Sequence, residues 1–195
     1  ALKDKGFEID KDDLTIVVQA VRDAMHLVVP GPMSVMRWIE DEVSKAIKRG
    51  ATELEWVTPS GFVVKQRIMK KKVETIELKL LGRCQLRVAT DNTNEVDKNR
   101  HKAATAPNLI HSLDATLLHL SVQDFDNPIA LIHDSVLCRA TDMSELSRIV
   151  RQKYMHIAGQ DYLNDFAAQI GAETEPPIIG GLKPESVIES TYFFC

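Results

Sequence analysis

The chain has 195 residues, of which 44% are apolar and 27% charged, with a net charge of −4. That is enough for one sizeable core and short for two independent domains, and no apolar run approaches the roughly 20 residues of a membrane span. Three isolated cysteines, Cys84, Cys138 and Cys195, fit neither a zinc spacing nor a disulfide framework, which points to a reducing compartment. The opening Ala1-Leu2-Lys3-Asp4-Lys5-Gly6 carries neither an initiator Met nor a signal-peptide pattern, as expected of a processed chain or a piece of a longer one.

Leu14, Val17, Val18, Val21, Met25 and Val28 recur at helical spacing and predict a helix over 12–28, capped by Asp12 or Asp13 and stopped by Pro30-Gly31-Pro32. A second helix is expected from Ser34 through Lys48, with Val35, Ile39, Val43 and Ile47 on one face and Gly50 ending it. Both read as packing elements and make residues 1–53 a helical segment. The pattern then changes to a hairpin, Leu54 to Val57 and Phe62 to Ile68, joined by Thr58-Pro59-Ser60-Gly61. Strand-like stretches follow at Val73–Leu81 and Gln85–Val88, and the polar residues 90–106 read as a loop.

Charge is unevenly spread. Residues 65–102 hold eleven Lys or Arg against five Asp or Glu, whereas residues 103–195 hold five against twelve. Lys65, Arg67, Lys70, Lys71 and Lys72, with Arg100 and Lys102 further on, would attract a phosphate backbone. The competing reading is a solvated edge strand guarded by lysines.

From Asn108 to Val122 a helix is expected, with Ile110, Leu113, Leu117 and Leu120 on an apolar face and His111 and Asp114 on its neighbour. Ile129 to Arg139 reads as a hairpin, followed by helices over 144–157 and 161–170, the latter ending at Gly171. Pro176-Pro177 and Gly180-Gly181 mark an exposed loop, and Pro184 opens a short last helix before Tyr192-Phe193-Phe194-Cys195. Helices, then strands, then a mixture give an α+β class.

Two motifs carry chemistry: Pro107-Asn108-Leu109-Ile110-His111-Ser112-Leu113-Asp114, and Ile129-Ala130-Leu131-Ile132-His133-Asp134-Ser135. The second places a His-Asp pair between two apolar runs, so that a hairpin tip presents one carboxylate to a hard cation. The competing reading is an Asp in an ordinary tight turn. Together the motifs point to Mg²⁺-dependent nucleotidyl transfer, for which a two-metal site needs a second carboxylate that this chain does not offer. His101, His111, His119 and His133 match no zinc spacing, and His111, Ser112 and Asp114 on one helix cannot form a relay triad. No phosphate-binding glycine loop is present.

These motifs, with Glu55-Trp56-Val57-Thr58-Pro59-Ser60-Gly61-Phe62, Leu81-Gly82 and the end Glu189-Ser190 before an aromatic tail, resemble the C-terminal part of the single-subunit RNA polymerases of bacteriophages, mitochondria and chloroplasts. The resemblance covers residues 54–195 and implies the C-terminal portion of a right-hand polymerase, with palm-like antiparallel hairpins packed with helices. It implies a catalytic hairpin at 129–139, a C-terminal tail at 184–195, and fingers- or palm-associated helices over 1–53. On it, Asp134 is similar to the second metal-binding aspartate, with His133 beside it. His111 resembles the histidine that contacts the base pair near the RNA 3′ end, and Phe194 and Cys195 resemble the tail near the site.

The implied substrates are a DNA template, an RNA product and nucleoside triphosphates. The implied place is the host cytoplasm for a phage enzyme, or an organelle matrix. The family's first metal-binding Asp, its triphosphate-gripping Lys and Arg and its sugar-selecting Tyr lie upstream and have no counterpart here; Asp12, Asp13 and Asp23 sit in a helical context. The expectation is therefore a centre completed by a second polypeptide or by missing N-terminal sequence. A DNA polymerase of the related palm superfamily is the nearest alternative, although it usually has Glu where Ser135 stands. A non-catalytic nucleic-acid-binding subunit is the alternative from another class.

Overall fold

The computed structural model describes residues 10–78, 84–178 and 180–193 as a mixed α+β chain. Helix α1 spans Lys11–Val28. Its cap is Asp10, whose carboxylate accepts from the Asp12 and Asp13 amides at 2.8 Å each. The two expected caps instead occupy the first turn, where negative charge suits the helix dipole. The apolar stripe predicted to pack is uncovered among the described residues: Leu14, Val17, Val18, Val21 and Met25 are 41–54% exposed.

Helix α2 spans Pro30–Lys48 and begins four residues earlier than expected. Val29 breaks the backbone at φ −130°, ψ 61°, and the prolines that stop α1 form the first turn of α2, where no intrahelical N–H is needed. Hairpin β1 (Leu54–Val57) and β2 (Val63–Gln66) pairs Leu54 with Gln66 and Val57 with Val63. Strands β3 (Met69–Leu78) and β4 (Cys84–Val96) form a long antiparallel arm with bulges between Met69 and Lys71 and between Lys72 and Val73. The end of the expected strand at 79–81, and the Leu81-Gly82 motif, lie outside the described residues.

The expected loop over 90–106 does not exist. Strand β4 runs to Val96, Asp97 caps the next helix by accepting from the Arg100 amide at 3.1 Å, and α3 spans Lys98–Gln123 with Pro107 inside it. The periodicity was hidden because the buried face of α3 is largely polar: His101, Thr105, Thr116 and Ser121 are buried alongside Ala106 and Leu109, while Ile110 is 55% exposed. Pro107 costs the helix one amide bond. Packing against β1, β2 and α2 compensates, since Ala106 and Leu109 sit in the same apolar cluster as Trp38, Ile39, Val43, Leu54 and Trp56.

A polar lock holds this half of α3. His101 Nε2 accepts from the Ile68 amide at 2.9 Å, and the Gln66 carboxamide lies 3.1 Å from Nδ1. Gln66 also donates to Thr105 Oγ1 at 2.9 Å and accepts from Asn108 at 2.7 Å. Because Nε2 must accept, the ring has to be neutral; burial pushes the His101 pKa down, against an opposing pull from Asp97. A depressed folded-state pKa contributes stability that is present above the ordinary 6.5 and lost as pH falls through the lowered value. Urea melts of wild type should therefore weaken over that acid window, and His101→Gln should lose that part of the pH dependence; an unchanged profile would remove His101 as its source.

Strands β5 (Ile129–Ile132) and β6 (Ser135–Cys138), helix α4 (Met143–Ala158), helix α5 (Tyr162–Ile170) and the short α6 (Ser186–Glu189) complete the chain. Gly171 closes α5 at φ 63°, a left-handed cap that suits glycine. Phe166 of α5, fully buried, meets Trp38 and Trp56 edge-on at 6.4 and 5.6 Å, which locks α5 to α2 and β1. A second cluster, Phe125, Leu146, Ile149 and Val150, lies beneath the β5–β6 hairpin. The described strands form three separate two-stranded sheets, and no described helix is long and apolar enough to cross a membrane.

Candidate active site

Two apolar runs separated by two residues fold as the tightest common hairpin. Ile132 pairs with Ser135, so His133 and Asp134 alone make the turn. Such a turn needs a left-handed residue, and His133 takes it at φ 57°, where a glycine would sit at no steric cost. A side chain there costs roughly 1–2 kcal/mol, which the rest of the hairpin must offset. Ile129, Val136 and Cys138 do so by packing on the Phe125, Leu146, Ile149 and Val150 cluster, together with Leu117 of α3. The opposite face is open among the described residues, with Ile132 61% and Leu137 64% exposed.

The hairpin base is closed by groups that sequence reading missed. Asn127 donates to Glu145 at 3.2 Å and accepts from Arg139 at 3.1 Å, while Arg139 Nε donates to Asp142 at 2.7 Å. The Arg139 bond holds the Asp142 carboxyl below its ordinary value. The Asn127 pairs, with residues 12 and 18 positions away, leave no local signature; only Arg139–Asp142, three apart, is a local pair.

His133 and Asp134 are both exposed at the tip, and Asp134 forms no salt bridge with any described residue. His111 is exposed on the outer side of α3. Its neighbour Ser112 faces inward, accepting from Trp56 Nε1 at 3.1 Å and donating to the Leu109 carbonyl at 2.7 Å. No hydrogen bond joins His111 to His133 or Asp134; what the structure supplies is α3 itself, carrying His111 at one turn and Leu117 under the hairpin at another.

Among the described residues no three His, Cys, Asp or Glu side chains gather to hold a metal. His101 is buried in the polar lock and His119 lies beside Ser60 at 3.5 Å, so the four histidines form no zinc centre. Asp12, Asp13 and Asp23 lie on α1, where Asp23 accepts from Gln19 at 2.8 Å. Asp134 is thus a single exposed oxygen donor on a braced support. Mg²⁺ is commonly held by one or two carboxylates with phosphate oxygens and water, so this donor fits one position of such a site and leaves the others to groups from elsewhere.

The basic run is partly neutralised. Lys65 pairs with Glu55 at 2.7 Å, Lys70 with Glu95 at 2.8 Å, Lys72 with Glu74 at 2.9 Å and Lys102 with Glu40 at 3.8 Å. Arg67, Lys71 and Arg100 form no salt bridge with described residues and are exposed. Exposed pairs are weak, so a phosphate can compete for the paired lysines as well. Phe194 and Cys195 lie outside the described residues. Before them, Tyr192 is 92% exposed and Phe193 is packed.

A family model described as DNA-dependent RNA polymerase matches residues 8–179. The chain is 31% identical over 186 residues to the DNA-directed RNA polymerase of Pseudomonas phage phiKMV, covering 93% of this chain and 22% of that protein. It is 26% identical over 201 residues to T7 RNA polymerase of Escherichia phage T7, covering 94% of this chain and 23% of that one. To the chloroplastic DNA-directed RNA polymerase 3B of Nicotiana tabacum it is 28% identical over 207 residues, covering 99% and 21%. The chain therefore spans about a fifth of the length of these relatives.

Proposed function

The chain belongs to the DNA-dependent RNA polymerase family, and from that premise we propose that it is the C-terminal, palm-containing portion of a single-subunit DNA-directed RNA polymerase. The reaction is attack of an RNA 3′-hydroxyl on the α-phosphate of a nucleoside triphosphate paired to a DNA template, with release of pyrophosphate. The observation that carries this reading is the two-residue His133-Asp134 tip, held in a left-handed turn on a hairpin whose base is closed and whose inner face is packed. Mg²⁺, bound by Asp134 and phosphate oxygens, would supply charge neutralisation at the reacting phosphate.

His133 projects from the same turn and is suited to hold the primer end or its backbone; His111 would contact the terminal base pair from α3. The second carboxylate of the two-metal site comes from sequence outside these residues. Each relative holds the matching segment within one longer chain, which lends no support to a separate second polypeptide. Residues 1–53 would serve as associated helices and the 184–195 tail would pack toward the hairpin. The enzyme would work in the compartment of its template, host cytoplasm or organelle.

The test is extension of an RNA primer on a DNA template by the full-length protein. Ribonucleotide incorporation that needs Mg²⁺ and releases pyrophosphate is expected. Preference for deoxynucleotides would transfer the chain to a DNA polymerase, and binding without extension would reduce it to a non-catalytic subunit.

The β3–β4 region and the start of α3 would lie along nucleic acid. Replacing Arg67, Lys71 and Arg100 together with Gln should flatten the slope of log affinity against log salt by up to about 2–3, near 0.9 per lost phosphate contact. An unchanged slope in a filter-binding titration would leave these side chains as solvated charge only.

A further inference from the structure

Arg151 ties down the tail before Phe194 at several points. Arg151, half-buried on α4, donates from Nη1 to the Val187 carbonyl at 2.5 Å and to the Ser190 carbonyl at 2.6 Å. Helix α6 is a single turn, Ser186–Glu189, with no side-chain cap at its start, and the guanidinium does for its C-terminal end the work that a longer helix or a cap would do. The same guanidinium lies 5.3 Å from the centre of the Phe193 ring, and Tyr154, one turn along α4, meets that ring edge-on at 5.0 Å. One residue thus grips the tail at three points: 187, 190 and 193.

A neighbouring face of α4 carries the hairpin. Leu146, Ile149 and Val150 form the floor of the hairpin that presents His133 and Asp134, and Phe193 packs on that same cluster. Val150, next to Arg151, is 8% exposed, so a shift of this turn is felt directly in the floor. Tail and hairpin therefore share one packed helix.

We infer that Arg151 is a positioning residue, which seats the C-terminal tail on α4 and through that helix's apolar floor sets the position of the His133-Asp134 tip. This rests on the proposed polymerase reading for its effect on turnover, but its structural half stands apart from it. Arg is suited to the task because its planar head can donate in its own plane and stack on Phe193 with its face; Lys could still reach the carbonyls but has no face to stack.

The experiment compares Arg151→Gln, Arg151→Lys and a chain ending at Ser186, which lacks all three contact points, alone and combined with Arg151→Gln, each in the otherwise intact protein. Amide exchange over 184–193 and over 129–138 is read beside primer extension. Arg151→Gln should raise exchange in both segments with an unchanged melting temperature. It should also lower turnover about tenfold at a nucleotide KM within about twofold, since small displacements at a reacting centre cost rate before they cost binding. Arg151→Lys should recover part of both. Once the tail is removed, Arg151→Gln should add no further loss, because the two changes act through one contact.

Exchange that rises in the tail but not in the hairpin, or losses that simply add, would overturn the coupling. Exchange that rises throughout the protein with a fall in melting temperature would make Arg151 a general structural residue. A wild-type protein that synthesises no RNA would end the polymerase reading, while the exchange data would still decide whether Arg151 holds the tail and the tip.

Discussion

Asp134→Asn in the full-length protein should abolish RNA extension while leaving the fold intact. Asparagine keeps the shape of the side chain and one oxygen, but loses the charge. Asp134 forms no salt bridge with a described residue, so the substitution removes nothing that holds the hairpin together. The cost should therefore fall on turnover alone. A loss of about a thousandfold corresponds to roughly 4 kcal/mol of barrier, in the range of removing one well-placed electrostatic stabiliser. The check is quenched-flow primer extension beside a thermal melt. A fall of less than about tenfold, roughly 1.4 kcal/mol, would sink the assignment of Asp134 as a metal-binding carboxylate. A large loss accompanied by a lower melting temperature would point instead to a turn that cannot tolerate the change.

The largest stability effect should come from Glu42, a residue without a part in the chemistry. Its carboxylate is buried on α2 and accepts from Lys45 at 2.7 Å, from the Glu173 amide at 2.7 Å and from Thr174 Oγ1 at 2.7 Å. Trp38 Nε1 donates to the Thr174 carbonyl at 3.2 Å, and Arg49 pairs with Glu173 and donates to the Gly171 carbonyl at 2.7 Å. This joins α2 to the segment after α5. Burial alone would push the Glu42 carboxyl up, but the three donors outweigh it and hold its pKa at about 2. Glu42→Ala strands the Glu173 amide and the Thr174 hydroxyl, while Lys45 keeps water and Glu173, and should cost about 2–4 kcal/mol in urea unfolding at neutral pH.

The sign with pH follows from the depressed value. The contribution is present above the ordinary 4.5 and is lost as pH falls through about 2. The gap between wild type and Glu42→Gln, which keeps an acceptor without the charge, should shrink toward pH 2. An equal gap at pH 7 and near pH 2, or a loss for Glu42→Ala below about 1 kcal/mol, would show that this cluster does not bind the two segments together.

Legibility varied with whether burial was carried by apolar residues. Helix α2 was legible through Ile39 and Val43, and the helices expected over 144–157 and 161–170 carry their own apolar faces, Leu146, Ile149, Val150 and Phe166, all buried. The first half of α3 was not, because its inward positions are His101 and Thr105, polar side chains whose cost of burial is met by Gln66 at the end of β2 and Ile68 in the connection after it, more than thirty residues earlier. Helix α1 erred in the other direction. Its stripe has the period of a packed helix, but period reports that one face is apolar, not what covers it.

The candidate site divides in the same way. The short-range pattern of two apolar runs about a His-Asp pair was sufficient for the hairpin, its tip and the residue that bears the carboxylate, because a two-residue turn is a local geometric solution. The uneven charge and the Gly171 end of α5 were legible in the same way, whereas the starts of α1, α2 and α3 were not. Only the tertiary structure decided that Asn127 reaches both Arg139 and Glu145 across the hairpin base, and that Arg151 and Phe193 join the tail to the same floor. These depend on which distant residues meet, and meeting is fixed by packing the whole chain, which no spacing along it records.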